Sequence, residues 1–161
     1  VYYNMKNGGR PSKTDSYKRF SSSYMDSPNS PLYPFGYGLS YTSFEYSDLA
    51  LSSGSMSVDG SVTASVKITN TGSYDGDEIV QLYIHDVYSS MTRPVKELKG
   101  FCRVALEPGE TKTVTFHVTE DMLSFYGLEM KPVVEDGDFT VMVGSSSDDE
   151  CLKSTRFTFI K

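Results

Sequence analysis

The 161-residue chain has no tryptophan, two cysteines and two histidines, and no apolar run near the roughly 20 residues of a membrane span. Each scarcity excludes something. Cys102 and Cys151, with His85 and His117 in no ligand spacing, make no zinc site, so no bound metal is expected. Whether the two cysteines bridge depends on geometry that sequence does not carry, and two free thiols is the simpler reading. Basic charge is short. A net charge of −6 argues against nucleic acid, whose binding rests on phosphate neutralisation by Lys and Arg. GxSxG, P-loop, HExxH and GxGxxG motifs are all missing, so neither a catalytic residue nor a cofactor is expected within these residues. No signal-peptide pattern opens the chain; its first residues, VYYN, read as the end of a strand in a longer protein.

What is present is alternation. SVTASVKITN (61–70) puts Val62, Ala64, Val66 and Ile68 on one face and Thr63, Ser65, Lys67 and Thr69 on the other, the pattern of a half-buried strand. EIVQLYIHD (78–86) turns Val80, Leu82 and Ile84 inward. TKTVTFHV (111–118) does the same with Val114, Phe116 and Val118, and DFTVMVG (138–144) with Phe139, Val141 and Val143. Further strands are expected at 44–52, 95–106 with a bulge at Gly100, 128–134 held to an edge by Pro132, and 156–160. NTGSYDGD (70–77) and EPGE (107–110) read as turns, and TEDMLSFYG (119–127) as one helical turn capped by Thr119. Seven or eight short strands with turn signals between them predict an all-β fold. The specific expectation is an immunoglobulin/fibronectin type III-like antiparallel β-sandwich over 32–161.

Residues 4–31 are different: seven serines and no apolar periodicity describe an irregular strap. Residues 1–31 carry a net +3 and the remaining 130 a net −9, which marks 1–31 as the tail of an upstream domain with its linker. The acidic clusters Asp75, Asp77, Glu78 and Asp148, Asp149, Glu150 lack the alternate-residue pattern of a calcium loop and read as solvated turns. No pair of carboxylates is placed by sequence across a cleft, as glycoside hydrolysis would need.

The segment YPFGYGLSY (33–41) alternates large residues, Tyr33, Phe35, Tyr37, Leu39 and Tyr41, with small ones. In an extended chain those five share one face and would bury together, while the glycine face would lie against another backbone. Interdomain packing is the expected role, because tyrosine suits a boundary with one apolar and one polar side. A carbohydrate-binding or adhesive module, with these rings stacking on sugars, is the alternative; a dimerisation domain is a third reading.

LYPFGYGLSYTSFEYSDL (32–49), ITNTG (68–72), GDEIVQLYIHD (76–86), SSMTRPVKELKGF (89–101), LEPGETKTVTF (106–116) and FTVMVGSSS (139–147) together resemble one known module. It is the C-terminal fibronectin type III-like domain of glycoside hydrolase family three enzymes. VYYNMKNGGRPS (1–12) is similar to the end of the α/β-sandwich domain before it, and bacterial periplasmic or secreted β-glucosidases are the nearest resemblance. The resemblance implies a noncatalytic structural domain of a retaining β-glucosidase that acts on β-glucosides, with its nucleophile and acid/base carboxylate on upstream domains. Those domains are the implied partners, and periplasmic or secreted the implied location. A β-xylosidase parent is compatible with the same module.

Overall fold

The computed structural model describes residues 3–6, 24, 26 and 28–161. Most of the expected irregular strap, including Arg10, Lys13, Lys18 and Arg19 of its basic cluster, lies outside the described residues. Among the described residues ten strands follow in order: β1 (Phe44–Leu51), β2 (Ser55–Ser57), β3 (Ser61–Asn70), β4 (Gly76–Asp86), β5 (Glu97–Leu106), β6 (Thr111–Thr119), β7 (Phe125–Tyr126), β8 (Pro132–Val133), β9 (Gly137–Gly144) and β10 (Leu152–Ile160). A single helical turn, α1 (Glu120–Leu123), sits between β6 and β7.

Two sheets face each other. One runs β1-β3-β6, the other β2-β10-β9-β4-β5, and β7 and β8 form a separate small pair. The all-β sandwich read from alternation is the fold. Val62, Val66 and Ile68 of β3 meet Val80, Leu82 and Ile84 of β4, with Val118, Val141, Val143, Phe157 and Phe159 closing the core. Each such side chain contributes about 1.5–3 kcal/mol when taken fully out of water. Phe116, expected in the core, is half-buried at its margin.

Several local readings are met and several corrected. Gly100 does mark a bulge: Leu82 faces Gly100 while Tyr83 faces Leu98, which leaves Lys99 unmatched. A Cβ on Gly100 would already lie 3.4 Å from the Phe116 ring. EPGE is a tight turn, with Glu110 N donating to Glu107 O at 2.9 Å and Gly109 at φ 76. The strand expected at 128–134 shrinks to Pro132–Val133, because Gly127–Met130 folds into a turn and Pro132 lacks a donor. Thr119 stands at the start of α1 but makes no side-chain cap; burial of Leu123 holds the turn instead. β2 was invisible in sequence, since three residues carry no periodicity, and it pairs parallel to β10 where an antiparallel sandwich was expected.

Asn70, fully buried at the end of β3, organises the turn after it. Its Nδ2 donates to Leu106 O at 3.0 Å and Tyr74 O at 2.8 Å, and its Oδ1 accepts from Thr42 Oγ1 at 2.6 Å and Gly72 N at 3.1 Å. All of its polar capacity is used, as burial demands.

Candidate functional site

The five-stranded sheet has a second buried patch on the side away from the core. Strand alternation turns Gln81, Tyr83 and His85 outward from β4, and Met142 outward from β9 opposite Tyr83. Such a face is ordinarily wet. Yet Gln81 is 4% exposed and Tyr83 is fully buried, and burial pushes the Tyr83 hydroxyl up, with Tyr3 adding to the rise. The cover comes from Tyr3 and from the aromatic segment before β1.

That segment is not extended. Tyr37 N donates to Pro34 O at 3.0 Å, closing a turn whose third residue, Gly36, has φ 79. Positive φ at this position is what glycine supplies in a type II turn. Tyr33, Phe35, Tyr37, Leu39 and Tyr41 therefore do not share the single face that an extended chain would give them. Phe35 stacks on Tyr3 at 4.2 Å between ring centroids, and Tyr33 and Tyr37 lean together at 5.5 Å with a 39° tilt. Leu39 and Tyr41 stand out at 88% and 97% exposure. The expected glycine-to-backbone approach is not made among the described residues. Gly36 faces the Gln81 side chain, and Gly38 has open space around it.

The backbone of the segment, by contrast, is tied down. Ser147 N donates to Phe35 O at 2.8 Å, and Gln81 Nε2 donates to Gly36 O at 3.2 Å and to Ser145 O at 2.6 Å. Residues 3–6 join the same side: Val95 N donates to Met5 O at 2.9 Å, and Lys6 bridges to Pro94. Two shallow grooves flank the segment, of about 250 Å³ against Ile79 and Ser146 and about 280 Å³ against Lys96 and Asp149. Each falls short of the ~300–1,000 Å³ typical of a small-molecule pocket.

The acidic turns have structural jobs. Asp77 pairs with Arg103, Glu78 accepts from Tyr46 Oη at 2.6 Å, and Asp149 pairs with Lys96, which is itself buried and donates to Ser147 O at 2.8 Å. Asp148 accepts from Glu150 N, capping a short turn. Among the described residues no three His, Cys, Asp or Glu side chains gather as a metal site, and Cys102 and Cys151 are free thiols. Arg93 anchors the 87–95 loop: it bonds Glu97 at 2.7 Å and lies 4.8 Å over the Phe125 ring. Its Nε faces the buried Asp86 at 3.8 Å. Burial raises the Asp86 carboxyl more than the Arg93 charge lowers it.

Residues 78–147 match the family described as the fibronectin type III-like domain. That stretch runs from β4 through β9 of the sandwich. The matched stretch and its flanks are similar over 147 residues, 91% of this chain, to a periplasmic β-glucosidase of Salmonella typhimurium, at 50% identity. They are 48% identical over 84% of the chain to a β-xylosidase of Formosa agariphila. A β-glucosidase from Listeria innocua, solved with gluconolactone, superposes on the whole chain with a TM-score of 0.92 at 41% identity. The chain spans about a fifth of each of these proteins: 19% of the two relatives and 22% of the solved chain. The likeness therefore covers the sandwich and the segments around it, and leaves the rest of those enzymes without a counterpart here.

Proposed function

We propose that this chain is a noncatalytic bracing domain of a β-glucosidase-type glycoside hydrolase, and that the catalytic bodies of the longer protein pack on the segment at 32–41. The whole protein would hydrolyse β-glucosides in the periplasm or outside the cell, with residues 1–31 leading in from the upstream domain. The single observation that supports this is a mismatch within one segment. Its backbone is bonded to the sandwich at Phe35 and Gly36, yet Leu32, Tyr33, Leu39 and Tyr41 project large apolar side chains away from it. Fixed apolar side chains facing outward mark an interaction surface. The relatives extend far beyond the matched region, which supports the rest of the same protein as the occupant.

The carbohydrate-binding alternative draws on the exposed Tyr33 and Tyr37 rings. Their 39° tilt gives no flat platform for a sugar, and the flanking grooves are small.

The test compares two proteins carrying Leu39→Ser and Tyr41→Ser together. In the 161-residue chain both side chains are already exposed, so its stability is expected to stay unchanged. In the intact enzyme the pair is expected to cost about 2 kcal/mol or more, since each buried large apolar side chain contributes roughly 1.5–3 kcal/mol. Equal stability of variant and wild-type intact enzyme would sink the bracing role.

A further inference from the structure

Gln81 occupies an odd position for a buried glutamine. It lies on the outward face of a central strand, where it bonds two remote segments, at Gly36 and Ser145, and Tyr83 beside it on the strand. Both ends of its amide are engaged. Nε2 donates to Ser145 O at 2.6 Å and Gly36 O at 3.2 Å, while Oε1 accepts from Tyr83 Oη at 2.5 Å. An apolar side chain of the same size would leave two carbonyls and a hydroxyl short of these bonds.

Gly36 is shaped to match. Its φ of 79 suits glycine, and a Cβ there would lie 2.1 Å from Gln81 Oε1. With Gly36 held, Ser147 fixes Phe35, and the Phe35 ring stacks on Tyr3. Tyr3 in turn sets its ring 5.9 Å from Tyr83, near perpendicular, and its Oη accepts from Leu98 N at 3.5 Å. Residues on both sides of the 7–28 stretch are thus tied to one point on the sheet.

We propose that Gln81 is a positioning residue, a latch that, with Gly36, couples the preceding catalytic bodies to the sandwich so that they unfold as one unit. The inference rests on the bracing role and adds its mechanism. Docking through exposed side chains alone would let the sandwich melt separately; a latch that gathers residues 3–6 and 35–36 onto one face of the sheet does not.

Scanning calorimetry of the intact enzyme, with and without gluconolactone, tests this. Wild type is expected to give one transition that shifts upward as a whole with ligand, since binding to the native state stabilises everything coupled to it. Two variants break the latch differently. Gln81→Glu keeps the size but sets a carboxylate against two carbonyl oxygens, and Gly36→Ala displaces the Gln81 amide. Each is expected to give two transitions, with the sandwich transition no longer responding to gluconolactone. Val118→Ala, in the core and apart from the latch, is expected to lower the midpoint while leaving one ligand-responsive transition. A single, wholly responsive transition in both latch variants overturns the proposal. Two independent transitions already in wild type would instead overturn the bracing role, and the latch with it.

Discussion

Removing one hydroxyl, by Tyr46→Phe, tests the polar tie between the two sheets. Tyr46 of β1 has its ring in the core, and its Oη donates to Glu78 Oε1 on β4 of the opposite sheet at 2.6 Å. Burial raises the Glu78 carboxyl above its ordinary range, and the Tyr46 hydroxyl opposes part of that rise. A hydrogen bond to a charged acceptor contributes about 1.5–3 kcal/mol. Glu78 keeps partial access to water, which screens its charge, so a loss of about 1–2 kcal/mol at neutral pH is expected. In a domain of this size that lowers Tm by roughly 2–8 °C.

The pH dependence identifies the cause. A carboxyl whose folded pKa lies above its unfolded value destabilises the native state while ionised, and the penalty fades as pH falls through the folded pKa. Without the hydroxyl, Glu78 is pushed further up. The Tyr46→Phe loss is therefore full at neutral pH and shrinks in acid. Glu78→Gln has the opposite sign: it removes the buried charge, keeps an acceptor, and is expected to raise stability at neutral pH with no gain once the wild-type carboxyl is protonated. Tyr46 itself is raised well out of the accessible range, by burial first and Glu78 second, so it remains a donor throughout. Urea unfolding of the 161-residue chain carrying each change and both, between about pH 4 and pH 8, reads these terms as a double-mutant cycle. A Tyr46→Phe loss of the same size at both ends of that range would refute the reasoning.

Three further outcomes are expected. Phe157→Ala removes a fully buried ring that stacks on Phe139 at 5.7 Å, and should cost about 3–5 kcal/mol in urea unfolding. Gly144→Ala would set a Cβ 2.1 Å from the Cys151 backbone carbonyl, which cannot swing aside, and should cost about 1–3 kcal/mol or more by the same measurement. Calorimetric titration of the 161-residue chain with cellobiose should give no binding heat. Saturable heat that Tyr37→Ala abolishes would favour the carbohydrate-binding alternative.

Much of the sandwich was legible because alternation is a local signal. Val62, Ala64, Val66 and Ile68 announce a core face without reference to any partner strand, and Gly100 and EPGE mark their bulge and turn by residue chemistry. The aromatic segment was legible as unusual but not in shape. Its alternation suggested an extended ribbon, and the turn at Pro34–Tyr37 depends on Gln81 and Ser147 standing where Gly36 and Phe35 can meet them. α1 shows the same limit: its place was readable, while the force holding it was core burial of Leu123 and not the Thr119 side chain.

From its residues by themselves, then, this protein had an all-β sandwich, the inward face of each long strand, and an unusual aromatic segment at 33–41. The tertiary structure decided that Gln81 and Tyr83 would be dry on an outer face, that Asn70 would staple a turn, and that β2 would run parallel to β10. The physical reason is reach. Alternation is carried by neighbours two residues apart, whereas the bonds of Gln81 close over 45 and 64 residues, and no local pattern records which distant carbonyl will arrive.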